Sequence, residues 1–132
     1  MLYEPGTRIA AVVAGGTPTD LTTFEAGGLI PQFIGGTRDE KPEQFRAASP
    51  ATYVSADDPP VFLYHGGADR LVPLAQATGY RARLDAAHVP NELLILRGRG
   101  HITAFLTDGS AVDAALDFLD RHLRDGTVTI QP

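Results

Sequence analysis

Two side chains able to move a proton stand in glycine-rich turns of this chain. Asp69 lies in VFLYHGGADRLVP (61–73) and His101 closes GRGH (98–101). A carboxylate that accepts the Nδ1 proton of an imidazole fixes its tautomer and stabilises the imidazolium formed when Nε2 takes up a proton. Such a pair is the acid and base of a nucleophilic hydrolase. The two residues are 32 positions apart, so the elements between them must bring them together. Taken singly, an aspartate in such a turn commonly serves only the turn, and a histidine after a strand commonly faces solvent. Their order, each behind a strand, favours the catalytic reading.

Other constellations carry less. His65 and Asp69, four apart, would share a metal from one helix face, but Gly66-Gly67 argues against a helix there, and the chain has no cysteine. No metal and no cofactor are expected. The turns Gly15-Gly16-Thr17 and Gly35-Gly36-Thr37 lack the spacing of a phosphate-binding loop. Arg97 and Arg99 bracket the turn before His101 and read as a solvated loop rather than a substrate anchor. His88 and His122, at or near helix ends, read as exposed.

Three apolar runs supply the strands that must position the pair. IAAVVA (Ile9 to Ala14), Val61 to Tyr64 and ELLIL (Glu92 to Leu96) are each closed by glycines, the pattern of strands buried on both faces of a parallel sheet. Between the last two, Leu74 to Ala87 places Leu74, Ala77, Tyr80, Leu84 and Ala87 on one helical stripe. A final helix is expected with Ser110 as N-cap, Asp113 in its first turn, Val112, Leu116, Leu119 and Leu123 as its buried stripe, and Gly126 as its stop. The order predicts an α/β fold of about three parallel strands with right-handed crossovers and flanking helices. Residues 20–58, rich in Gly, Pro and Thr, read as a cap-like insert with one short helix at 42–48, and residues 127–132 as a flexible tail. In a parallel sheet, chemistry collects at the carboxyl ends of the strands, where both Asp69 and His101 fall.

The 132 residues suit a single domain, and 43% hydrophobic with 20% charged residues is an ordinary globular composition. A net charge of -5 without a basic run argues against nucleic acid or an anionic membrane as partner. No apolar segment reaches the ~20 residues needed to span a bilayer, and the N-terminus lacks a signal-peptide shape. Cytoplasmic is the default expectation.

The run from Ser49-Pro50 through Tyr53-Val54, Asp58-Pro59-Pro60, VFLYHGGADRLVP and GRGH resembles the C-terminal half of α/β-hydrolase esterases. The likeness is to the carboxylesterase, acetyl-xylan or feruloyl esterase and dienelactone hydrolase-like branch, with prolyl-oligopeptidase-type peptidases as neighbours. It covers Arg8 to about Leu123. It implies that Asp69 is the triad acid, that His101 is the triad base, that Ile9 to Ala14 is the strand after the nucleophile helix, and that residues 36–58 lie on the cap side. The chain departs from that pattern in one respect. Such enzymes carry their serine as G-x-S-x-G upstream of the acid, and none of Ser49, Ser55 and Ser110 is flanked by those glycines. His65-Gly66-Gly67 belongs to the acid loop and is not the oxyanion loop, which precedes the nucleophile.

The chain therefore reads as a partial α/β-hydrolase domain, 1–132, with acid and base but no serine nucleophile, as though Met1 fell near the end of the helix behind that serine. The expected function is ester hydrolysis that needs a nucleophile from outside this chain, with little or no activity alone beyond slow water attack aided by Asp69 and His101. The alternatives are a non-catalytic, self-associating scaffold and a fragment of a prolyl-oligopeptidase-type peptidase. The expected partners are a small-molecule ester and either a second copy or a missing N-terminal half, joined through the exposed strand edge at Ile9 to Ala14.

Overall fold

Val61–Gly66 is hydrophobic on both faces because it is the middle strand of a three-stranded parallel sheet with helices on either side. The computed structural model describes residues 8–24, 28–106 and 109–124. Along these the chain forms β1 (Val12–Gly15), α1 (Leu29–Ile34), α2 (Pro42–Ala47), a single 3₁₀ turn (Pro50–Tyr53), β2 (Val61–Gly66), α3 (Ala75–Ala86), β3 (Asn91–Leu96), α4 (His101–Leu106) and α5 (Gly109–Arg124). The sheet order is β1-β2-β3, with Val12 opposite Val61 and Val61 opposite Asn91. No helix among the described residues is long and apolar enough to cross a membrane.

Successive side chains of β2 point to opposite faces, and each face meets its own helix. Val61 and Leu63 pack with Leu84 of α3 and with Val89, while Phe62 packs with Ala115 and Phe118 of α5. The Phe62 and Phe118 rings lie 5.6 Å apart, centre to centre. Each of these buried large side chains contributes about 1.5–3 kcal/mol, so β2 is the strand on which both layers depend.

The insert between β1 and β2 is also anchored from within. Phe45 of α2 is fully buried, and Ser49 donates to the Phe45 carbonyl (2.7 Å) while accepting from Leu21 N–H (2.8 Å). α2 ends one residue short of its expected boundary, and α1 in the same insert had no clear periodic signal.

Several expectations are corrected. The first strand starts at Val12, not Ile9, and runs on to Gly15. Val12 N–H donates to Pro60 O (2.9 Å), and the prolines opposite residues 10 and 11 have no N–H with which to extend the ladder. Ile9 is exposed. β2 continues through His65 and Gly66, past the expected end at Tyr64.

The larger correction concerns α5. Its buried seam is Ala111, Ala115 and Phe118, whereas Val112, Leu116 and Leu123 of the expected stripe are exposed. Both stripes step by three and four residues, so periodicity alone does not choose between them. Small alanines let the helix approach the sheet closely enough for Phe118 to reach Phe62, which turns the bulkier stripe outward. Because the helix already includes Gly109, Ser110 lies inside its first turn and is not the cap, and Asp113 falls beyond that turn. The expected stop at Gly126 and the tail at 127–132 lie outside the described residues.

Candidate active site

The carboxyl ends of β2 and β3 open into two loops that grip each other. Gly67 N–H donates to Leu96 O (2.9 Å) and Ala68 N–H to Arg99 O (3.0 Å). The approach is so close that a Cβ on Gly66 would stand 2.4 Å from the Arg99 carbonyl oxygen, which only glycine avoids. This contact places the residue after each loop, Asp69 and His101, on the same edge of the sheet.

Asp69 sits in a tight turn, its N–H bonded to Gly66 O at 3.1 Å. Its Oδ1 accepts from Leu71 N–H and Val72 N–H, both at 2.9 Å. Its Oδ2 lies 2.7 Å from His101 Nδ1. A buried carboxylate offers only acceptors, so Nδ1 carries the proton and Nε2 keeps its lone pair. The Asp69 side chain is 0% exposed and that of His101 is 25% exposed, which leaves an imidazole edge reachable from solvent above a sealed acid. Burial by itself raises the pKa of Asp69. The hydrogen bonds from Val72, His101 and Leu71 together outweigh it and hold the carboxyl below the usual aspartate range.

His101 opens α4 and is packed from two further sides. Phe105, one turn along, meets its ring edge-on at 5.4 Å. The turn after β1 abuts it as well. A Cβ on Gly16 would lie 2.9 Å from His101 Cε1, and the positive φ of 56° at Gly16 is a second reason for glycine there. All three strand ends therefore converge on this imidazole.

His65, read from the sequence as part of the acid loop, lies within β2 and is 1% exposed, with Nε2 2.8 Å from Val72 O. The same nitrogen lies 3.5 Å from Asp69 Oδ2. The structure thus brings His65 to Asp69 through a strand and a turn, with no helix involved. Arg97 is exposed, and Arg99 supplies its backbone carbonyl to the loop contact. His88 is exposed. His122, expected on the surface, is half-buried with its ring 4.4 Å from that of Phe118. The serine hydroxyls of Ser49 and Ser55 are engaged elsewhere, the first between Phe45 and Leu21 and the second toward Asp58.

Sequence reasoning missed Gln76. Buried in the first turn of α3, its Oε1 accepts from Thr19 N–H (2.9 Å) and Asp20 N–H (2.7 Å), and its Nε2 donates to Thr23 Oγ1 (2.8 Å). It holds the loop that follows β1 and Gly16. A polar residue beside Ala77 on a helix's inward face was the only signal available.

Beside the site, the open edge of β1 borders an apolar groove of about 260 Å³ lined by Val13, Tyr64, Phe105, Val112, Leu116 and Leu119 among others. It lies under the outward stripe of α5.

Residues 2–84 match the BD-FAE family model, a span that includes Asp69 and stops before His101. Esterase LipQ of Mycobacterium tuberculosis is 34% identical over 84 residues, which is 61% of this chain and 20% of LipQ. A truncated form of a carbohydrate esterase from gut microbiota superposes with a TM-score of 0.79 at 25% identity, covering 89% of this chain and 44% of that one. The Est2 esterase of Thermogutta terrifontis shares the fold with a TM-score of 0.64 at 21% identity, covering 98% of this chain and 50% of its own. The chain thus spans a fifth to a half of the length of these relatives. With three parallel strands of an α/β-hydrolase esterase fold and a family match over more than half its length, the chain belongs to the BD-FAE family.

Proposed function

We propose that this chain supplies the acid and base of a carboxylic ester hydrolase whose serine is carried on another segment. The observation that carries the reading is the 2.7 Å contact between His101 Nδ1 and a fully buried Asp69 carboxylate, at the carboxyl ends of neighbouring parallel strands. The esterase names of LipQ and of the gut-microbiota carbohydrate esterase support the substrate class, an acyl ester of a small alcohol or sugar.

In this reading Asp69 holds the His101 ring with Nε2 toward the cleft. Nε2 takes the serine proton as the hydroxyl attacks the acyl carbonyl, and the imidazolium formed is stabilised by Asp69. The proton then passes to the leaving alcohol, and a water activated at the same nitrogen releases the acid. General-base assistance of this kind is worth about 10²–10⁴-fold.

The serine-bearing segment docks along β1. Among the described residues that strand pairs with no strand but β2, so its other edge offers backbone N–H and C=O groups to a further strand, and the adjoining groove is apolar. The half of the solved neighbours that this chain does not match is long enough to hold a strand, a turn and a helix. A second copy is the competing occupant. The exposed Val112, Leu116 and Leu123 favour a self-associating scaffold as the second reading.

The test joins this chain behind the serine-bearing half of a BD-FAE relative. Fluorophosphonate labelling and hydrolysis of p-nitrophenyl acetate are expected in the chimera and are expected to disappear with His101→Ala. Serine labelling of the isolated chain would show that the nucleophile is already within it. A folded chimera whose turnover does not depend on His101 would remove the catalytic reading and leave the scaffold.

A further inference from the structure

His65 is a buried ionisable group that the proposed mechanism does not use. It shares the α3-facing side of β2 with Val61 and Leu63, and a third aliphatic residue would fill that side without a polar atom to satisfy. Burying an imidazole there costs about 1–3 kcal/mol unless its nitrogen finds a partner. The partner it finds is the acid loop.

A carbonyl only accepts, so the 2.8 Å contact with Val72 O puts a proton on His65 Nε2. Val72 is therefore gripped at both ends, with its carbonyl held by His65 and its N–H held by Asp69 Oδ1 at 2.9 Å. The same Nε2 stands 3.5 Å from Asp69 Oδ2, the oxygen that faces His101. Oδ1 is thus tied to two backbone amides, and Oδ2 lies between two imidazoles.

We infer that His65 is a positioning residue, whose Nε2–H locks the Asp69 turn through Val72 and so sets the carboxylate plane that orients His101. The inference rests on Asp69 and His101 acting as acid and base. It matters because an error of about 1 Å in such a pair is enough to cost roughly 10²-fold in rate. Local spacing hides the role, since His65 acts through a carbonyl seven residues on.

The test is nuclear magnetic resonance on the ¹⁵N-labelled chain, and it needs no nucleophile. The wild-type protein is expected to show a far-downfield His101 Nδ1–H resonance and, in long-range ¹⁵N–¹H spectra, His65 protonated at Nε2. In His65→Leu, with the backbone amide spectrum otherwise in place, the His101 resonance is expected to exchange with solvent about tenfold faster, as loss of one net hydrogen bond implies. His65→Gln, whose Nε2 amide reaches toward the same carbonyl, is expected to restore the wild-type rate. A folded His65→Leu protein with the wild-type resonance and exchange rate would overturn the inference. So would a neutral Nδ1–H tautomer of His65 in the wild type, even if no variant folds. Absence of the downfield His101 resonance in the wild type would instead remove the acid–base pair itself, and this inference with it.

Discussion

Asp69→Asn isolates the charge at the candidate site while keeping its shape. The asparagine oxygen can still accept from Leu71 and Val72, which now bond Oδ1 at 2.9 Å. Its NH₂ group then replaces Oδ2 and faces His101 Nδ1–H at what is now 2.7 Å. Two donors cannot share that distance. The imidazole must turn away or move its proton to Nε2, where it ceases to be a base. A hydrogen bond to a charged group is worth about 1.5–3 kcal/mol, and that is the expected loss of stability at neutral pH. For a chain of this length it lowers Tm by about 5–15 °C. The pH dependence follows from the lowered pKa of Asp69. Because the folded value lies below the unfolded one of about 3.9, the stabilisation is fully present above the unfolded value and is lost as pH falls through the folded one. Urea unfolding of both proteins between pH 7 and pH 2.5 measures the gap. It should be at its full size at neutral pH and narrow in acid. In the chimera with a serine-bearing half, the same substitution should lower kcat by about 10⁴-fold through the wrong tautomer. Equal stability of the two proteins at pH 7, or a gap that does not narrow in acid, would refute the account of Asp69 as a paired, buried carboxylate.

Other substitutions probe the scaffold. Gly66→Ala sets a methyl group 2.4 Å from Arg99 O; it should cost about 1–3 kcal/mol, measured by urea unfolding, and should shift the amide resonances of both loops. Phe118→Ala empties a fully buried site against Phe62 and should cost about 3–5 kcal/mol in the same assay. Leu116→Lys, on the exposed stripe, should change stability by no more than about 0.5 kcal/mol while reducing self-association in sedimentation velocity. Gln76→Leu leaves the amides of Thr19 and Asp20 without their acceptor; hydrogen exchange should show that loop losing protection, at a cost of about 1–3 kcal/mol for each unpaired group.

Much of the architecture was legible because it depends on short-range chemistry. Apolar runs closed by glycine or introduced by proline mark strands wherever they end up, and Val61–Gly66 and Asn91–Leu96 lie within two residues of their expected bounds, although burial on both faces holds for Val61–Gly66 and not for Asn91–Leu96, where Ile95 is exposed. Ala75–Ala86 needed only its helical spacing. Asp69 and His101 stood out because each follows a glycine turn behind such a strand, and residue type with order in the chain was enough to single them out.

Tertiary structure decided what depends on partners far away in the chain. Val112, Leu116, Leu119 and Leu123 recur at helical spacing as well as Ala111, Ala115 and Phe118 do. Only the reach of Phe118 to Phe62, and the closeness that alanine permits, selected the second set as the buried seam. Gln76 could not announce itself, since its partners Thr19 and Thr23 are 57 and 53 positions away. The geometry of the acid is of the same kind. A sequence states that an aspartate lies in a turn. The grip of Val72 between Asp69 and His65, and the 2.7 Å to His101, exist only once β2 and β3 lie side by side and their loops interlock.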